Sequence, residues 1–320
     1  MHYRRLGRSG LKVSEISLGA WITFGNQIEE QTAVDLIHAA FEAGVNFFDN
    51  ADMYANGRAE EVMGRAIRNL PRPALVISSK VFWPTMPGPN GRGLSRKHVT
   101  ESIHSSLKRL GTDYVDMYFC HRYDPDTPFE EVVRVMDDLV HQGKVLYWGT
   151  SEWEASQVTQ AYGSARQFGL VPPTMEQPQY NLFHRQRVED ELAPLAREFG
   201  LGMVTFSPLY YGLLTGKYNE GIPAGSRATL PEMSWMRDRI TAERIAVVRQ
   251  LTSLAQDLGI TTAQLAIAWI LRRKDVSSVI TGATRLEQLD ENLAAAEALE
   301  RLDNQVWERI DLILGSPSPE

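Results

Sequence analysis

The chain has 320 residues, with 33 Lys and Arg against 40 Asp and Glu for a net charge of −7, and 43% of its residues are hydrophobic. That balance excludes a disordered or collagenous chain and argues against a general nucleic-acid or anionic-membrane surface, while leaving room for a local basic pocket around a small phosphate. A single cysteine, Cys120, excludes a disulfide framework and a thiolate-rich metal site and fits a reducing, cytoplasmic setting.

The N-terminal MHYRRLGRSGLKVSEISLG puts charges ahead of only short apolar pieces, so secretion is not expected. Short β-branched or aromatic runs then follow at 16–18, 45–49, 75–80, 115–121, 145–150, 174–180, 203–207 and 278–281. Amphipathic helical stretches lie between them at 30–43, 59–69, 95–109, 129–142, 154–168, 187–199, 241–258 and 261–273. The first seven runs recur at about the length of one strand plus crossover helix, which predicts a closed (β/α)8 TIM barrel, an α/β fold, spanning 1–320 as one domain. The apolar 264–271 stretch is too short to cross about 30 Å of hydrocarbon, so a soluble protein without direct membrane insertion is expected. Two places break the rhythm, a Pro/Gly-rich loop at 83–94 after the third strand and a long segment at 208–240 after the seventh. In a barrel, loops leaving strand C-termini build the active face, so both enlargements are expected to line a pocket.

No GxxxxGK[ST] loop, HExxH helix or GxGxxG after the first strand is present, and the seven histidines lack ligand spacing, so no metal site is expected. Chemistry collects instead at strand ends. Asp49 closes the second run, with Tyr54 five residues on; Lys80 closes the third; His121 closes the fourth. An ammonium and a histidine beside a phenol suit protonation of a carbonyl oxygen as hydride reaches its carbon. Asp49 and Asp52 also allow a glycosidase pair, although both lie in one short segment.

The fragments FFDNADMY, VISSK, FCHR, YWGTSEW, EQPQYN, FSPLYYGLLTGKY and VITGATRLEQLDEN, spread over residues 2–313, together resemble the aldo-keto reductase family. GRGLSRKH, TPFEE, VLYWGTSEW and IPAGSRA are most similar to its branch of voltage-gated potassium channel beta subunits and their bacterial relatives. The resemblance implies NADPH bound in extended form without a Rossmann domain, and reduction of a small-molecule aldehyde or ketone. Tyr54 then corresponds to the general acid, Lys80 to the lysine lowering its pKa, Asp49 to the carboxylate beside it and His121 to the substrate-orienting histidine. Some channel subunits carry asparagine where this chain keeps His121, which favours an active reductase.

The same resemblance assigns cofactor contacts. Ser151 and Gln177 reach the nicotinamide amide, and Phe206 lies against its ring, with Tyr180 nearby but a poorer stacking partner. Trp21 and Asp49 also border the cofactor. Ser207, Pro208, Leu209, Gly212 and Lys217 contact the pyrophosphate and ribose, with backbone donors near Gly212. Arg227, Gly282, Thr284, Gln288, Glu291 and Asn292 hold the adenosine end, and Gly225 stands where channel proteins have an aromatic residue. The substrate pocket is expected to comprise Trp21, Tyr54, Phe82, Trp83 and His121. Homo-oligomerisation, and the alternative of an NADPH-binding auxiliary subunit of a membrane protein with little turnover, come from the same branch.

Overall fold

A computed structural model describes residues 1–315, the side chains of Pro231 and Glu232 aside. Eight parallel strands close into a barrel: β3 (Ile16–Gly19), β4 (Phe47–Asp49), β5 (Val76–Val81), β6 (Val115–Cys120), β7 (Val145–Ser151), β8 (Met175–Gln177), β9 (Gly202–Thr205) and β10 (Val276–Thr281), with β10 returning to pair with β3. Ahead of them, β1 (Tyr3–Arg5) and β2 (Lys12–Ser14) form an antiparallel hairpin that the sequence reading does not anticipate. Crossover helices α1 (Glu30–Glu42), α2 (Arg58–Ile67), α3 (Arg96–Leu110), α4 (Phe129–His141), α5 (Ala155–Phe168) and α6 (Ala193–Phe199) separate successive strands, and α7 (Ala242–Asp257) and α8 (Thr262–Leu271) fill the longer last gap. Beyond the barrel run α9 (Leu286–Leu293), α10 (Ala295–Leu299) and α11 (Asn304–Leu314), of which the last two are also additions to the sequence reading.

Strand alternation divides the core. Phe47, Val76, Met117, Phe119, Met175, Val204 and Ile280 point into the barrel and pack together, and Leu6 and Val13 from the hairpin join them from the N-terminal mouth. The outward positions meet the helices in a second apolar layer that includes Ile77, Tyr118, Trp148 and Val279. No single helix among the described residues is long and apolar enough to cross a membrane; α7 and α8 pass that test only as a pair bent by 90°, and α8 is buried along its length.

Expected elements differ mainly at their ends. The run at 174–180 narrows to Met175–Gln177 because Pro178 follows. The helix expected over 187–199 begins with a wider turn, Arg187–Leu192, before α6. The 83–94 loop is pinned from inside the fold: buried Asp124 accepts the Leu94 N–H at 2.7 Å and the Thr127 hydroxyl at 2.8 Å. Gly93 is required there, because its φ is 91° and a Cβ would lie 2.6 Å from Asp124 Oδ2.

Among the side chains that hold the hairpin, Arg4 makes the most contacts. Arg4 donates to the carbonyls of Leu271, Arg273 and Val276 at 2.7–3.0 Å and pairs with buried Glu15 at 3.0 Å. Substituting Arg4→Met leaves Glu15 unpaired and is expected to cost about 2–3 kcal/mol, read from the urea unfolding midpoint; an unchanged midpoint contradicts this role.

Candidate active site

The inward register that builds the core also delivers the chemistry. Counting in steps of two from the core residues, the next inward position at the C-terminal rim is Asp49 on β4, Lys80 on β5, His121 just past β6, Ser151 on β7, Gln177 on β8, Phe206 just past β9 and Gly282 just past β10. All of these except Lys80 line one cavity of about 820 Å³ at the C-terminal mouth, a size suited to a small-molecule or cofactor site.

Lys80 lies beneath that lining with no exposed surface. Its ammonium donates to Asp49 Oδ2 at 2.6 Å, to the Asn50 carbonyl at 2.7 Å and to Tyr54 Oη at 3.2 Å, matching three donors with three acceptors. Asp49 is fixed in turn, its Oδ1 accepting the Ser78 hydroxyl at 2.7 Å and Gln177 Nε2 at 3.1 Å. Burial draws the Lys80 pKa below the usual lysine value, with the Asp49 carboxylate opposing that fall. Since Tyr54 Oη accepts from Lys80, its own proton is left to donate elsewhere.

Tyr54 opens a tight turn, Tyr54–Gly57, in which Ala55, Asn56 and Gly57 all have positive φ. Four acids and bases thus meet at one point, but one expectation changes. The sequence reading has Lys80 lowering the Tyr54 pKa; in the structure burial first, and then the Asp49 charge, hold the phenol well above 10. The physical reason is that Asp49 sits closer to the ammonium than Tyr54 does and offsets its charge. Tyr54 is therefore a neutral hydroxyl. His121 stacks edge-on to it, ring centroids 5.8 Å apart, and burial together with Lys80 and Arg122 keeps the imidazole well below its ordinary pKa and hence neutral.

Trp21, Tyr54, Trp83 and His121 line the cavity, whereas Phe82 does not: it packs against Trp83, rings 5.2 Å apart and edge-on. Tyr180 is buried against Trp269 and donates to Glu189 at 2.8 Å, a core role. Ser207, Pro208, Leu209, Gly212, Lys217, Gly225, Arg227, Thr284, Gln288, Glu291 and Asn292 all line the other end. There the Gly212 N–H is bonded to the Leu209 carbonyl at 2.8 Å, so backbone donation to a ligand falls to its neighbours. Positive charge remains: Lys217, Arg227 and Arg285 converge, and among the described residues neither Lys217 nor Arg227 has a carboxylate partner. Burial and the two arginines bring Lys217 down to about 8, the condition of a cation cluster shaped for an anion. Thr284 donates from its N–H and hydroxyl to Gln288 Oε1, both at 2.9 Å, and Asn292 Nδ2 reaches the Gly282 carbonyl at 3.3 Å, fixing α9 against the rim.

A profile of the Aldo/keto reductase family matches residues 15–314. The chain belongs to this family. It is 50% identical over 320 residues to proteins named "Probable voltage-gated potassium channel subunit beta" from Arabidopsis thaliana and from Oryza sativa subsp. japonica, each match covering 99% of this chain and 97% of the relative. Within this aldo/keto reductase barrel, the lining residues that go beyond the sequence reading include Met53, Arg122, Tyr211 and Trp235. Tyr211 meets Trp21 at 6.0 Å and Trp235 at 4.8 Å, both edge-on, and walls the mouth between the two ends. A signal for Tyr211 existed in the LYYG segment, but the positive φ at Tyr210, Tyr211 and Gly212 that turns it inward is not written in that pattern.

Asp52 is not half of a carboxylate pair. It is 1% exposed, accepts the Ser102 hydroxyl and lies outside the cavity lining. Burial pushes its pKa up to about 7. A folded-state value above the unfolded one stabilises fully below about pH 4, and that contribution is lost as pH rises through about 7. Asp52→Asn is accordingly expected to gain stability relative to the wild type as pH rises from about 4 to about 7 in urea titrations; a difference that does not change with pH contradicts the buried-acid reading.

Proposed function

We propose that this single-domain barrel binds NADPH and reduces an aldehyde or ketone by hydride transfer. The observation carrying this reading is the Asp49–Lys80–Tyr54 chain of contacts, with neutral His121 beside the phenol and the cavity running from there to the Lys217, Arg227 and Arg285 cluster. The donor set fits the cofactor: three cations suit its phosphates, Phe206 offers a ring face, and Ser151 and Gln177 offer amide partners. Bound NADPH would supply the hydride.

The remaining work belongs to the chain. Tyr54 holds its proton at neutral pH, so its hydroxyl donates to a carbonyl oxygen, and that oxygen acquires the proton as charge develops on it. Lys80 keeps the Tyr54 oxygen in place and steadies it once the proton has left. Asp49 prevents the ammonium from turning away. His121, uncharged, orients the same carbonyl through a hydrogen bond without competing as an acid.

A second reading is favoured by the relatives, whose printed names support it more directly than they support turnover: an NADPH-binding auxiliary subunit of a membrane protein. The retained tetrad of residues supports turnover. The two separate by measuring NADPH oxidation over a panel of aldehydes and ketones, with Tyr54→Phe shown by fluorescence titration to bind NADPH. The reductase reading expects substrate-dependent oxidation that falls about 10²- to 10⁴-fold in Tyr54→Phe with cofactor affinity retained. Tight NADPH binding with no oxidation on any substrate contradicts it and supports the auxiliary subunit.

A further inference from the structure

The substrate end of the cavity contains one charge that the hydride-transfer scheme does not use. Arg122 follows His121, lines the cavity, and places its guanidinium carbon 5.8 Å from the centre of the Trp83 ring. Its one hydrogen bond is to the carbonyl of His121, and no carboxylate among the described residues pairs with it. The acids that share the lining are committed elsewhere. Asp49 is bound to Lys80, Glu152 to Arg187 at 2.9 Å, and Glu291 lies with the adenosine-end residues on α9.

The rings around it give Arg122 a defined place. Tyr54 meets His121 at 5.8 Å, His121 meets Trp83 at 6.4 Å, and Arg122 lies over the same Trp83 ring. A substrate with its carbonyl at Tyr54 and His121 therefore shares its end of the cavity with the guanidinium. Trp83 is a fixed support, because the Gly93 N–H donates to the Phe82 carbonyl at 2.7 Å and Asp124 ties down Leu94. A planar carboxylate is the group that best satisfies the paired N–H donors of such a guanidinium.

We propose that Arg122 selects carbonyl substrates bearing a carboxylate. This deepens the reductase reading and rests on it for turnover. Arg122 acts on the distal group of the substrate and takes no part in proton transfer, although its charge also opposes protonation of His121.

The test compares 4-formylbenzoate with its methyl ester, which differ in charge but share the aldehyde and its electron-poor ring. Wild type is expected to prefer the acid in kcat/KM, and Arg122→Gln to reduce the acid-to-ester ratio about 10- to 100-fold, with Arg122→Lys retaining part of it. The ratio is internal to each preparation, so partial loss of folded protein does not move it. If Arg122→Gln does not fold, added salt on the wild type takes its place: the KM of the acid should rise and that of the ester should not. An unchanged ratio, or equal salt responses, overturns the proposal. Should neither aldehyde be reduced, the reductase reading fails separately. Calorimetric titration of the NADP+-loaded protein with 4-(hydroxymethyl)benzoate and its methyl ester then decides the role of Arg122: carboxylate-selective binding that is lost in Arg122→Gln supports it, and equal binding overturns it.

Discussion

A lysine ammonium with no exposed surface, placed at the rim of the barrel, is the constraint on which the rest of the site depends. Burying such a charge is tolerable only if its protons are all accepted, and Lys80 has three acceptors within 3.2 Å. Two of them, the Asp49 carboxylate and the Asn50 carbonyl, belong to the neighbouring strand end. The third is the phenol of Tyr54, which opens a turn through Ala55, Asn56 and Gly57 with positive φ. The buried carboxylate and the phenol thus both meet one charge.

From that point the arrangement extends outward. Asp49 is held by Ser78 and Gln177, and Ser151 donates to the Gln177 carbonyl at 3.0 Å, so the strand ends of β4, β5, β7 and β8 share one hydrogen-bond network. Behind β5 the outward Ser79 donates to buried Glu60 on α2 at 2.6 Å, and Arg109 on α3 pairs with Glu60 at 2.7 Å. Lys80 consequently stands on a strand anchored from both faces. Networks of this kind are stabilising only when each member is satisfied, and they hold reacting groups within narrow limits.

Much of this was legible in the sequence because strand periodicity and function coincide. The eight runs have inward positions that continue into Asp49, Lys80, His121, Ser151, Gln177 and Phe206, so a correct strand register also locates the chemistry. The hairpin at Tyr3–Ser14 escaped because its strands have three residues each, too few for alternation to register, and its anchor Arg4 reads as an ordinary surface charge. Phe82 was expected in the pocket together with Trp83, yet neighbours in an extended segment face opposite ways. Tyr211 and Arg122 depend on backbone direction in loops, where no period exists to count. The lowered Tyr54 pKa expected from a nearby ammonium was reversed by burial and by Asp49, a balance that distance decides and residue type does not.

The central claim is that Lys80 organises proton donation by Tyr54. The most direct measurement is single-turnover hydride transfer, with protein preloaded with one equivalent of NADPH and mixed rapidly with an aldehyde, in the wild type and in Lys80→Met. The account predicts NADPH consumption in the wild type, and in Lys80→Met a transfer rate lower by about 10²-fold or more with NADPH still bound. Equal rates in the two proteins, or no transfer in the wild type with any aldehyde, would contradict it.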